Sequence, residues 1–176
     1  MFAESISLAP VLKARSSAPA NVPCSDPRGL GGTAVVRTIF GLSPVFRLKV
    51  GDVLLDTRNR ISELRSIRMY RAKAADIVRL EPSAFGLGLA PGRLNRALIV
   101  GAAQKLGICD WRTEILFSAP TLSAAARLVD SVNLHRADAP GILFELECDH
   151  DTIITADGVT TLIHGSSAQV AQDFWQ

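Results

Sequence analysis

The stretch Gly141-Ile-Leu-Phe-Glu-Leu-Glu-Cys-Asp-His150-Asp-Thr-Ile-Ile-Thr-Ala-Asp-Gly158 decides how this chain is read. Ile142, Phe144, Leu146 and Cys148 fall on one side of an extended backbone and Glu145, Glu147 and Asp149 on the other, the alternation of a half-buried strand. Thr152 to Ala156 is a short β-branched run. Asp157-Gly158 supplies the positive φ angles of a tight primed turn, and Val159-Thr-Thr-Leu-Ile163 returns. Two strands and a hairpin therefore meet around His150.

Upstream, the same reasoning gives more short strands. Thr33 to Phe40 is β-rich and is broken by Gly41 and Pro44. Val45 to Leu48 reads as a short second strand before a Gly51-Asp52 turn, Val53 to Thr57 as a third, and Asn59 marks the next turn. Glu63 to Arg71 and Asp76 to Glu81 read as strands, the first with arginines on its surface face. Residues 82–96 hold glycines and prolines and read as a loop. Leu98 to Leu106 suits either strand or helix, and Glu114 to Phe117 is a short strand. After Pro120, Thr121 or Ser123 can cap a helix whose stripe is Leu122, Ala125, Ala126 and Val129. Ser167 to Trp175 reads as a terminal helix.

At 176 residues the chain is about one domain long, and a domain of that size buries around two thirds of its unfolded surface. A hydrophobic content of 48% with 20% charged residues describes a folded chain rather than a disordered one. The net charge of +2 is too small to name a partner. Six arginines and one lysine between Arg58 and Arg79 face only Glu63 and Asp76, whereas the charged side chains from Asp138 to Asp157, histidines aside, are all acidic. The two regions are expected to face each other across one fold. Cys24, Cys109 and Cys148 form no disulfide framework, so the redox compartment stays open. No window reaches the roughly 18 apolar residues of a membrane span. Lys13 and Arg15 follow the modest apolar run Ile6 to Leu12 instead of preceding it, so no cleavable secretory signal is visible.

The order of acidic strand, His-Asp, aliphatic run and Ala-Asp-Gly resembles the closing block of Hint (hedgehog/intein) domains of the bacterial secreted-protein type. Gly32-Thr33-Ala-Val-Val, Pro44-Val45 and Leu48-Lys-Val-Gly51-Asp52-Val-Leu-Leu-Asp-Thr57 are similar to the opening of the same domain. Ala84-Phe-Gly-Leu-Gly-Leu-Ala-Pro91 is similar to the loop before its middle histidine. The resemblance covers roughly residues 31 to 160. It implies an all-β, compact Hint-like fold of many short strands with one minor helix, and it favours strand over helix at Leu98 to Leu106. The expected organisation is a flexible lead-in over 1–30, a Hint-like domain over 31–165 and a tail over 166–176. Relatives of this kind are often exported without a classical signal, so the compartment stays open between cytoplasm and export by that route.

The resemblance also implies a chemistry. A cysteine or serine at the domain's first position attacks the carbonyl before it, donors hold the oxyanion, and a histidine protonates the departing amine. The nucleophile stands about four residues before Gly-Thr, which here is Arg28, a side chain unable to attack a carbonyl. The nearest thiol is Cys24, eight residues before Gly32, with Pro27, Gly29 and Gly31 between them as strand breakers. Aligning Leu98-Ile-Val100 puts Gln104 where the middle histidine belongs, and a carboxamide cannot shuttle a proton. His150 occupies the late histidine's position. By its residue type and setting alone it is a turn or core histidine satisfied by Asp149 or Asp151. Ile163-His164-Gly165-Ser166 is similar to an intein's end, with Gly165 where an asparagine would cyclise.

Other chemistry finds little support. His135, His150 and His164 lack metal-ligand spacing, Cys148-x-His150 is short of the ligands a zinc site needs, and no cofactor is implied. Gly86-x-Gly88 and Gly29 to Gly32 are neither a phosphate loop nor a dinucleotide turn, and no Gly-x-Ser-x-Gly is present. The basic 58–79 ribbon has one aromatic residue, Tyr70, and no nucleic-acid module signature, so nucleic acid is not the expected partner. Three readings follow. The first is a Hint-like domain that has lost self-cleavage and acts as a scaffold or accessory module, with a protein as its partner. The second is self-cleavage at Cys24 with His150, and the third is a module that grips polyanions through the ribbon.

Overall fold

The computed structural model describes residues 26–82, 96–108 and 121–166. Its spine is an antiparallel pair of long strands, β5 (Ile61–Ala72) and β11 (Gly141–Cys148), in register from Ala72 opposite Gly141 to Leu64 opposite Cys148. A bulge between Glu147 and Cys148 bends the pair. At the bulged end Leu64, Leu146 and Cys148 join the main core with Leu30, Val36, Leu54, Leu80, Leu106 and Ile154. At the other end Leu143 packs with Tyr70, Ala72 and Ile77 in a second, smaller cluster. The expected side of β11 does carry Leu146, Cys148 and the half-buried Phe144, but Ile142 is 51% exposed and Leu143, from the opposite side, is fully buried. A twisted strand longer than one core is covered on one face at one end and on the other face at the other.

Around this pair the described strands join in the order β10-β6-β7-β1-β11-β5-β4-β2-β12-β13-β8-β9, with β3 on β2 and a parallel contact between β11 and β13. The remaining spans are β1 (Leu30–Gly31), β2 (Val35–Thr38), β3 (Gly41–Pro44), β4 (Val53–Leu55), β6 (Ile77–Leu80), β7 (Leu98–Gly101), β8 (Lys105–Ile108), β9 (Thr121–Ala124), β10 (Leu134–Arg136), β12 (Thr152–Ala156) and β13 (Val159–Gly165). The fold is all-β. β12 and β13 form the expected hairpin, with Asp157 at φ 46° and Gly158 at φ 90°. Asn59, the other expected turn, also has positive φ.

Two local expectations are corrected. Val45–Arg47 is a 3-10 turn rather than a strand, and Gly41–Pro44, expected as a break, is the strand that pairs with β2. The helix expected after Pro120 is strand β9 followed by a single 3-10 turn, Ala125–Leu128. Its amides point elsewhere: Ala125 N donates to Gln104 O and Ala126 N to Ala102 O, while Lys105 to Ile108 pair with Ala124 to Thr121. Tertiary pairing overrides the alanine-rich helix propensity. β1 and β10 had no counterpart in the sequence reading. The expected strand at 114–117 and terminal helix at 167–175 lie outside the described residues, as does almost all of the loop at 82–96.

The two charged regions meet across β5 and β11, while other arginines pair with carboxylates near them in sequence. Arg68 stands opposite Glu145 across β5 and β11 and pairs with it, while Arg60 pairs with Asp56 at 2.7 Å, Arg65 with Glu63 at 3.0 Å and Arg79 with Glu81 at 2.6 Å. Two carboxylates anchor turns. Burial acts against the charged form of Asp56, yet the Arg60 side chain and the Arg60 and Arg58 amides lower its pKa overall. At Asp130 the amides of Leu134 and Val132, helped by Asn133, outweigh burial and hold the carboxyl down to about 2.

Leu146→Ala is expected to cost about 2–5 kcal/mol of stability and Ile142→Ala under about 1 kcal/mol, as read from urea unfolding. Carboxylates with depressed folded-state pKa values stabilise the fold above their ordinary value and lose that contribution as pH falls. The thermal midpoint is therefore expected to drop between about pH 4 and 2, with a shallower acid limb in Asp130→Asn, which keeps an acceptor but does not titrate.

Candidate functional site

Residues 27–31 run into the middle of the fold. Pro27 O accepts from Ala103 N at 2.9 Å, Gly29 O accepts from Gly101 N at 2.9 Å, and Leu30 lies between Phe144 and Val100. The passage is narrow. A Cβ at Gly101 would lie 2.3 Å from Pro27 O, and one at Gly29, which has φ +120°, would lie 2.6 Å from Phe144 O. Glycine alone fits such an approach. Strand begins only at Leu30, as Pro27 and Gly29 imply, but Gly31 is within it and residues 27–29 still cross the middle of the fold in backbone contact with their neighbours; of the expected lead-in, Leu30 belongs to the sheet. Cys24 lies outside the described residues.

One peptide bond here is held at both ends. The Tyr70 hydroxyl donates to Arg28 O, and the Gly29 amide donates to Gln104 Oε1 at 2.9 Å. Gln104 sits in the hairpin between β7 and β8, 4% exposed, and its Nε2 donates to Thr161 Oγ1 at 2.8 Å and to Leu162 O at 2.7 Å. Thr161 Oγ1 in turn donates to Lys105 O at 2.9 Å. Chemically, Tyr70 can polarise the Arg28 carbonyl. Gln104 fixes the amide nitrogen but carries no proton to exchange near neutral pH. Gly29 has no side chain, and the Arg28 guanidinium is turned to Asp26 at 2.7 Å. Tyr70 was missed by the sequence reading, although a lone tyrosine among arginines on a long strand is a signal of burial with a polar tip.

His150 belongs to a separate cluster. Its side chain is 53% exposed and its Nδ1 lies 2.8 Å from Asp149 Oδ1, the expected carboxylate partner. The same oxygen accepts from Ser62 Oγ at 2.7 Å, and Thr152 Oγ1 donates to Ser62 Oγ at 2.7 Å. Burial disfavours the Asp149 carboxylate, but the Ser62 hydroxyl, the His150 charge and the main chain at Glu63 and His150 lower its pKa overall. Beside it the Cys148 thiol is free and buried. Burial first, with the Asp149 charge adding and a Ser62 hydrogen bond opposing, pushes it up to about 11. A thiol so rarely ionised is a packing group.

The end of β13 closes over this cluster. Gly165 N donates to Asp151 Oδ1 at 2.7 Å, Ser166 N to Cys148 O at 2.7 Å, and His164 Nδ1 stands 3.8 Å from Asp151 Oδ1. A Cβ at Gly165 would lie 2.9 Å from His150 Cα and from Asp151 N, so a side chain there would have to displace backbone. Gln104 thus meets β13 at Thr161 and Leu162, and His150 meets it at Gly165. Among the described residues no group of His, Cys, Asp and Glu is arranged to hold a metal ion, and no helix is long and apolar enough to cross a membrane.

No family model matches the chain, and no curated protein matches it. Solved structures do. The Msm DnaB1 intein splicing domain bound with zinc is 14% identical, with 77% of this chain and 99% of that one covered at a TM-score of 0.51. The MchDnaB-1 intein is 14% identical over the same shares at 0.50. A bacterial intein-like domain from Clostridium thermocellum is 15% identical, with 81% of this chain and all of that one covered at 0.46. With its all-β content and the likenesses at TM-scores of 0.50 and 0.51, the chain carries the Hint-type fold of inteins.

Proposed function

We propose that this is a Hint-type domain that has lost backbone self-cleavage and serves as a scaffold or accessory module. The observation that carries the reading is the Arg28–Gly29 peptide. Its carbonyl oxygen has a donor in Tyr70 and its nitrogen is held by a buried side chain, Gln104. A self-cleaving bond needs the same two handles, but it also needs a nucleophile on the residue that follows and an acid at the nitrogen. Here that residue is Gly29, one position after Arg28, where counting back from Gly32 puts the nucleophile; neither offers a side chain that can attack a carbonyl, and the group at the nitrogen is a carboxamide. The far end agrees with this: Gly165, in the place of a cyclising asparagine, has no room for a side chain. What remains is a set of hydrogen bonds that fasten a segment, and fastening is what a scaffold requires.

Purified protein is expected to keep its full mass on incubation with thiol or hydroxylamine, by intact mass spectrometry. Cleavage before Cys24 that vanishes in Cys24→Ala would overturn the reading. Gln104→Leu leaves the Gly29 amide and the Leu162 carbonyl unpaired in the interior, and each such group costs about 1–3 kcal/mol. Urea unfolding should accordingly show a loss of about 2–6 kcal/mol.

A further inference from the structure

The sheet face around the β2–β3 hairpin carries an apolar prominence with arginines at its other end, by the turn between β4 and β5. Val36, Thr38, Leu54, Ser62 and Leu64 point into the molecule, which turns their neighbours outward. Leu42 lies opposite Arg37, Leu55 opposite Ile61, and Ile39 N donates to Val53 O at 3.1 Å, so these side chains share one face, with Arg37 between Leu42 and Leu55. Phe40 is 91% exposed, Leu42 77%, Ile61 66% and Ile39 47%. Gly41 has φ +112° and a Cβ there would meet nothing within 4 Å, so the hairpin tip stands clear of the body. Large apolar side chains grouped in this way mark a binding surface.

The surrounding charge is one-sided. Arg37 Nη1 donates to the Asn59 amide oxygen at 2.8 Å, a neutral partner. Arg58 and Arg60 occupy the turn between β4 and β5. Arg60 pairs with Asp56, but the guanidinium side chain is 67% exposed while the carboxylate side is 4% exposed, so the positive charge faces out and the negative charge lies within. Glu63, on the same face, is matched by Arg65 at 3.0 Å.

We propose that this face rests on an anionic lipid surface, with Phe40 and Leu42 entering the boundary between headgroups and acyl chains and Arg37, Arg58 and Arg60 meeting the phosphates. The contact is peripheral and requires no span. Shape favours lipid over an acidic protein: the tip is convex, and a fluid bilayer yields around a wedge, whereas a protein must present a pocket already cut to fit it. Apolar insertion and cationic attraction reinforce each other at such an interface.

The test is co-sedimentation of the full chain with vesicles of phosphatidylcholine alone or mixed with phosphatidylserine. Binding is expected to the anionic vesicles only and to weaken with salt. The double variant Phe40→Ser, Leu42→Ser should weaken it by about tenfold or more, and Arg58→Gln by about fivefold. Phe40→Trp, which keeps the apolar bulk, should bind and shift its emission to the blue. Equal binding to neutral vesicles, binding untouched by the double variant, or no binding to either vesicle would overturn the proposal. So would self-association, or capture of an acidic peptide, that the double variant abolishes while vesicles are ignored.

Discussion

The buried carboxamide of Gln104 is the constraint on which the rest of the centre depends. Its oxygen holds the incoming segment at Gly29, and its nitrogen holds β13 at Thr161 and Leu162. Three stretches far apart in sequence meet at one side chain. A neutral imidazole offers one donor and one acceptor, whereas a carboxamide offers two donors and an acceptor. Glutamine at this position therefore makes a bond that a neutral histidine could not, and gives up proton transfer in return. Among the described residues no buried side-chain nitrogen or oxygen is left without a hydrogen bond. In a site this buried, a half-satisfied network would cost more than an apolar filling.

Around Gln104 the backbone packs more closely than side chains would permit. Gly29 against Phe144 O and Gly101 against Pro27 O leave no space for a Cβ, and both contacts lie on the one segment rich in glycine and proline. Composition suggested a loose approach to the domain, because glycine and proline usually punctuate loops. A third use of glycine, close passage of one backbone past another, leaves the same compositional mark. Only the partner carbonyls distinguish the two, and those come from residues over a hundred positions away in the case of Phe144.

Much of the fold was legible because its signals are local. The alternation of β11, the β-branched run of β12 and the Asp157-Gly158 turn each hold their information within a few residues, and each appears in the structure. The order of those local signals carried the Hint-type reading. What could not be read was decided at a distance. The segment after Pro120 has the stripe of a helix, but β8 supplies a partner and the chain extends to meet it. Leu134 to Arg136 has no strand pattern of its own and is a strand because β6 offers an edge. At the site, Gln104 was found by aligning a short motif, whereas Tyr70 was hidden in a strand read for its arginines.

Gln104 and His150 lie in two separate clusters, and the two are held by different kinds of group. At His150 a carboxylate that also anchors Ser62 and, through it, Thr152 makes the imidazole one arm of a surface cluster. At Gln104 the interior is tied by neutral groups. Self-cleavage would require ionisable groups around one buried bond, each adding desolvation that its catalytic role must offset. Neutral hydrogen bonds satisfy the same backbone groups without that cost. The centre of this fold is held in that way, by a carboxamide and by glycines that let backbone pass close to backbone.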